Sequence, residues 1–266
     1  MSSPEYYPRS IDAGACVSNA WNLLKTNYWL YFGITALIVA ASIVLSCIPF
    51  LPIFFQIFVI APLTVGLFAV LFRDMRQEPV NFGMFFSGFN KFVPAMIIGL
   101  IQSIPNIILV ILNLIFRVAS LIPQIIQRSR MGGRSNFVSD SDAAPLIAGG
   151  VLIVFLVVFL VFFILSLAWG ITFFFSLPIL AENDMGAIDA IKLSAKAGWS
   201  NVGGLLLLFI IEFLICLVGV LCLCIGILFV LPIVFAANAF AYRMVFPLPP
   251  TNQSPSYAGG GFGSGM

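Results

Sequence analysis

Five apolar blocks, almost free of charge, run through this 266-residue chain and restrict it to folds that a bilayer can solvate. Residues 28–50 and 51–72 are each long enough to cross about 30 Å of hydrocarbon at about 1.5 Å per residue. Between them, Cys47-Ile48-Pro49-Phe50-Leu51-Pro52 carries two prolines that break the helix. Residues 92–116 make a third span. Residues 146–180 make a fourth that, at 35 residues, is longer than one crossing needs. Residues 203–246 hold two more, with a turn near 219–226. The expectation is an all-α polytopic membrane protein with six transmembrane helices.

Composition supports this. Only 8% of the residues are charged, against roughly a quarter in a soluble domain, and 61% are apolar. The net charge of +2 and the lack of an extended basic run argue against nucleic acid as a partner. There is no histidine, so the commonest general base and metal ligand is missing. The five cysteines (Cys16, Cys47, Cys216, Cys222 and Cys224) suit packing between helices better than a disulfide framework. Cys222 and Cys224 lack the further ligands of a tetrahedral site, and no metal or cofactor is expected. The N-terminal stretch has no basic segment followed by an apolar core, so no cleavable signal is expected.

Trp29 and Trp199, Gly33 and Gly203, Pro62 and Pro232, and Arg73 and Arg243 are each 170 positions apart. An aromatic opens a span, a glycine follows one turn in, a proline sits in the next span and an arginine closes it. This reads as an internal repeat of a short surface helix and two spans. The modules fall at residues 10–75, 80–180 and 185–246, after an N-terminal segment 1–9. Residues 128–144 read as a polar loop, and residues 247–266 as a disordered tail rich in proline, glycine and serine.

Three short segments read as amphipathic helices in the headgroup region, a pattern that ordinary connectors share. In the first, Val17, Ala20, Trp21 and Leu24 oppose Ser18, Asn22 and Lys25. Another sets Ile188, Ile191 and Ala195 against Asp189, Lys192 and Lys196, with Asn183 or Asp184 placed to cap it. Residues 81–91, between them, are interrupted by glycine and less regular. With six crossings, both termini share a side carrying Arg9, Lys25, Arg73, Arg76, Lys91, Lys192, Lys196 and Arg243. The other side has Arg117, Arg128, Arg130 and Arg134, so the bias favours cytoplasmic termini. Lys25, Lys91, Lys192 and Lys196 then meet anionic headgroups, at about 1 kcal/mol each.

Glu212 lies near the middle of the fifth span, where an acidic side chain costs on the order of 3 kcal/mol. On the third span Gln102, Asn106, Asn113, Arg117, Ser120, Gln124 and Gln127 fall within about 80° of one another, and Pro105 and Pro123 kink the helix or open its backbone. Two readings stand. The stripe faces Glu212 and lines a path for a proton, an ion or a polar headgroup. Alternatively, the amides bond across helices as packing glue, with Glu212 protonated and paired with an amide such as Asn238. Gly149-Gly150 and Gly203-Gly204 suit close helix approach. No hydrolytic or nucleotide-binding motif is present.

Residues 11–33 (IDAGACVSNAWNLLKTNYWLYFG), 61–92 (APLTVGLFAVLFRDMRQEPVNFGMFFSGFNKF), 176–199 (SLPILAENDMGAIDAIKLSAKAGW) and 224–246 (CIGILFVLPIVFAANAFAYRMVF) carry a resemblance. They resemble a broad group of bacterial multipass inner-membrane proteins. The group includes the membrane domain ahead of the catalytic barrel in some glycerophosphodiester phosphodiesterases. The resemblance spans residues 10–246 and implies a six-helix inner-membrane fold with no assigned activity. No catalytic barrel follows Phe246, so phosphodiesterase activity is not implied, and the 128–144 loop departs from the group. The expected function is that of a non-enzymatic membrane protein, structural or lipid-interacting. Its expected partners are membrane lipids and a second copy or another membrane protein. The alternative is a small transporter or channel using Glu212 and the third-span stripe.

Overall fold

A computed structural model describes residues 6–46, 54–130, 143–221 and 226–247; for 45, 46, 56, 116, 119–130 and 143–155 it describes the backbone alone. The expected turn at 47–52, the Cys222/Cys224 pair, most of the 128–144 loop and the tail after 247 lie outside these residues, as do the side chains of Ser120, Gln124 and Gln127.

A chain in hydrocarbon must satisfy its backbone hydrogen bonds internally, and helices do this within one segment. The described residues form helices without strands. Six stretches are long and apolar enough to cross a membrane: Ala13–Val44, Ile57–Met75, Phe82–Gln102, Leu156–Glu182, Val202–Leu221 and Gly226–Val245. This is a multi-pass membrane protein.

Helix α1 (Ala13–Ser46) breaks at Asn27, with φ −123° and ψ 30°. An asparagine competes with the helix backbone through its side chain. Here Asn27 Nδ2 donates to Asp74 Oδ1 at 3.0 Å, while Tyr31 Oη donates to Asp74 Oδ2 at 2.7 Å. The break separates the short first helix from the crossing that follows. A π-helical turn (Gln56–Ile60) leads into α2 (Ala61–Met75), where Pro62 occupies the first turn and its missing N–H is not needed. Gln77, with φ 58°, ends α2 in a left-handed cap: its N–H reaches Asp74 O and that of Glu78 reaches Arg73 O.

A 3-10 helix (Phe82–Lys91) then lies backbone to backbone on α2. A Cβ at Gly66 would overlap the carbonyl of Phe85, and one at Gly88 the carbonyl of Pro62. Helix α3 (Phe92–Gln102) continues from it, and the chain breaks at Ser103 before α4 (Ile104–Arg130). The third span is therefore interrupted: Phe82–Gln102 is long and apolar enough to cross, and a shorter apolar helix, Ile104–Ile115, follows the break. Pro105 has no N–H to continue the ladder and its ring clashes with the preceding turn, so one helix ends and another starts. Gln102 and Asn106 consequently sit on different helices, and the stripe is not continuous.

Helices α5 (Ala143–Phe173), α6 (Ser176–Glu182), α7 (Ala187–Ser200), α8 (Val202–Leu221) and α9 (Gly226–Val245) complete the fold. Helix α9 packs along α1 and α8, α2 packs on α6, and α5 on α7. The buried face of α7 is Ala187, Ala190, Ser194, Ala197 and Gly198, while Ile188 is 63% exposed. Of the expected apolar face, Ile191 packs partly against the core and Ile188 faces outward. Small residues let backbones meet: a Cβ at Gly198 would overlap the carbonyl of Ile171. Ser194 Oγ also accepts from Phe175 N at 3.1 Å and donates to Thr172 O at 2.8 Å, closing the break between α5 and α6. The cap of α7 is Gly186, without a side-chain bond, not Asn183 or Asp184. Of the expected close glycines, Gly204 abuts Ile11, Gly203 faces open space, and the side chains of 143–155 are not described.

The core gathers at one end. Tyr31, Phe72, Phe85, Phe175 and Tyr242 are fully buried there, with the Tyr242 ring 5.0 Å from Phe72 and 4.9 Å from Phe246. Toward the opposite end Ile43, Val44, Leu214, Val218 and Leu221 face outward, as acyl chains permit.

Gly88→Ala and Gly66→Ala place a methyl on backbone that has no rotamer to move. Overpacking of this kind costs about 1–3 kcal/mol or more. Thermal unfolding in detergent is expected to show a clear loss for either, whereas Gly33→Ala, with nothing within 4 Å of its Cβ, leaves the midpoint unchanged.

Candidate functional site

A polar layer caps the packed end. Glu182, closing α6, accepts from Tyr242 Oη at 2.9 Å and Arg243 Nη1 at 2.8 Å, and its other oxygen lies 2.7 Å from Arg243 Nη2. The second contact is an ion pair without hydrogen-bond alignment, since Arg243 Nη2 and Nε have no hydrogen-bond partner among the described residues. Arg76 Nη1 stands 3.8 Å from the same carboxylate, and the Arg243 guanidinium lies 4.4 Å from the centre of the Phe72 ring. Arg76 Nε donates to Glu78 Oε1 at 2.6 Å, which holds the Glu78 carboxyl below its ordinary range. Tyr7 N donates to Val245 O and Ser10 N to Asn201 Oδ1, so the two described ends of the chain meet here.

The four lysines separate into two kinds. Lys25, Lys192 and Lys196 are exposed. Lys25 lies over the Trp21 ring and Lys196 over the Tyr6 ring, while Trp29 and Trp199 are 75% and 55% exposed nearby in sequence. Lys91 turns inward instead. Its ammonium donates to the carbonyls of Leu180 (2.9 Å) and Asn183 (3.1 Å) and pairs with Asp184 at 2.8 Å, so it caps α6 rather than facing headgroups. The hydrogen bond from Lys91 lowers the Asp184 pKa. The contact therefore contributes above the ordinary aspartate range and is lost as pH falls through the lowered value.

Within the membrane a cavity of about 620 Å³ lies where α3 gives way to α4, against α5. Gln102, Asn106 and Asn238 line it, joined by Ser166 and Trp169 of α5. Gln102 Nε2 reaches Phe173 O and Ser176 Oγ, both at 3.2 Å, tying the end of α3 to the break after α5. Ser166 Oγ, Trp169 Nε1 and Asn238 Oδ1 are buried with no hydrogen-bond partner among the described residues. Walls of phenylalanine, from Phe68 to Phe174, surround these groups.

The other two residues of the sequence-derived site lie elsewhere. Asn113 accepts from Arg117 Nε at 2.8 Å on exposed α4. Glu212 is buried on the face of α8 that also buries Leu205 and Leu208, and it does not line the cavity. Its Oε1 has no partner among the described residues, and Asn238, expected to pair with it, belongs to the cavity. Ser166 and Trp169 went unnoticed in the sequence because neither is ionisable or an amide. The signal was their spacing: 159, 162, 163, 166, 169, 170 and 173 form one helical face.

Lys91→Met removes the donor to two helix-end carbonyls. Hydrogen bonds to charged groups contribute about 1.5–3 kcal/mol, so a loss of that order is expected in thermal unfolding. In neutral detergent, which offers no anionic headgroup, Lys192→Met on the exposed face is expected to change stability by less than about 0.5 kcal/mol. No family model, no curated protein and no solved structure matches this chain.

Proposed function

We propose that the chain is a non-enzymatic protein of a bacterial inner membrane, with cytoplasmic termini, whose interfacial helices bind anionic lipid headgroups. One observation carries this reading. Lys25, Lys192 and Lys196 are exposed on two interfacial helices, beside the exposed tryptophans Trp21, Trp29 and Trp199, at the end where the polar layer lies. Tryptophan settles at the headgroup level and lysine extends past it to the phosphates, so the pair sets both depth and lipid preference. Eight basic residues at this end, against the four expected opposite, support its cytoplasmic orientation.

The proposal includes a duplicated module. The segment from Gln56 to Met75 and helix α9, Gly226 to Val245, begin and end 170 positions apart. The preceding interfacial helices end at Asn27 and Asn201, one turn out of register. A transport path is the weaker reading, since Glu212 and the amides of the third span do not share a cavity.

Thermal unfolding in nanodiscs of anionic and of zwitterionic lipid tests the proposal. The wild type is expected to be more stable in the anionic bilayer, and K25E/K192E/K196E to lose that difference, at about 1 kcal/mol per lysine. Equal stability of the wild type in both bilayers would overturn it. Glu212→Gln is expected to leave the lipid preference intact.

A further inference from the structure

We infer that the cavity between α4 and α5 binds an uncharged, hydroxyl-bearing lipid that enters sideways from the bilayer. This deepens the lipid-binding reading and rests on it for its membrane setting, but it stands on different residues.

Buried polar atoms are nearly always hydrogen-bonded, and leaving one unpaired costs about 1–3 kcal/mol. Three residues that line this one cavity carry such atoms: Ser166 Oγ, Trp169 Nε1 and Asn238 Oδ1. Their chemistry defines the guest. The indole N–H only donates, the amide oxygen only accepts, and the serine hydroxyl does both. A hydroxyl headgroup meets all three demands. No ionisable side chain lines the cavity, and a charge this far from the interface costs on the order of 3 kcal/mol, so a phosphate or ammonium head does not fit.

The opening decides the route. Leu109, Phe159 and Phe163 line the cavity yet remain exposed, and Ile108, Leu112 and Leu160 continue the outward apolar surfaces of α4 and α5. A guest entering between these helices keeps its acyl chains in lipid while its head reaches the polar groups. At about 620 Å³ the space is within the usual range for a small-molecule site.

The chain has four tryptophans, so W21F/W29F/W199F leaves Trp169 as the reporter in the cavity. In nanodiscs, acyl-brominated diacylglycerol is expected to quench Trp169 at lower mole fraction than brominated phosphatidylglycerol or phosphatidylcholine. Ser166→Ala/Asn238→Leu is expected to raise the half-quenching fraction about tenfold, two ordinary hydrogen bonds' worth. If that double variant fails to fold, Ser166→Ala alone decides by the same readout, with a shift of about threefold. Equal quenching by all three lipids overturns the inference, as does indifference to these substitutions. Strong quenching by aqueous acrylamide also overturns it, because the cavity is then water-filled. Charge reversal at Lys25, Lys192 and Lys196 leaves the Trp169 result unchanged, so failure of the headgroup proposal and failure of this one are distinguishable.

Discussion

Apolar helices gain nothing by leaving lipid tails for one another, so a membrane bundle is held by what lipid does not supply. In this protein that is the carboxylate of Glu182. It joins α6 to Arg243 and Tyr242 of α9 and stands close to Arg76 beyond the end of α2. Asp74 does the same for the bend in α1, with both oxygens taken by Asn27 and Tyr31. Lys91 adds the 3-10 helix by capping α6. Beneath these bonds the rings of Phe72, Phe175, Tyr242 and Phe246 close the core. The paired charges sit where water still reaches part of them, which lowers the desolvation cost that a fully buried pair carries.

The rest of the architecture follows from having one tied end. Helices α4 and α5 extend away from it with their apolar faces outward. No comparable polar layer joins them among the described residues. The gap between them is where the cavity opens, and its polar groups come from four separate elements: Gln102 from α3, Asn106 from α4, Ser166 and Trp169 from α5, and Asn238 from α9. A rigid interfacial layer and a laterally open intramembrane site are thus two consequences of the same distribution of polar residues.

The fold class was legible in the sequence because length and hydropathy alone specify a crossing helix. The boundaries were not. Pro105 marks an interruption of the ladder, but that it divides Gln102 and Asn106 between two helices is visible only in the structure. The protein-facing side of α7 is not legible for a related reason: in lipid an isoleucine has no need to be inside, so glycine, alanine and serine mark the contact better. Three of the five intramembrane site residues, Gln102, Asn106 and Asn238, do come together. Glu212 drew attention as an ion in a span, but which neighbour a side chain meets depends on helix packing that the sequence does not display. The inward turn of Lys91 was hidden for the same reason, because its partners are backbone carbonyls.

The most direct measurement is a double-mutant cycle on Glu182→Gln and Arg243→Met, with reversible unfolding followed in mixed micelles. If the interfacial layer holds the helices together, the coupling between the two positions is about 2 kcal/mol or more, as close charge pairs show elsewhere. Additivity within about 0.5 kcal/mol would mean that the pair is incidental and that the bundle is held by side-chain packing alone.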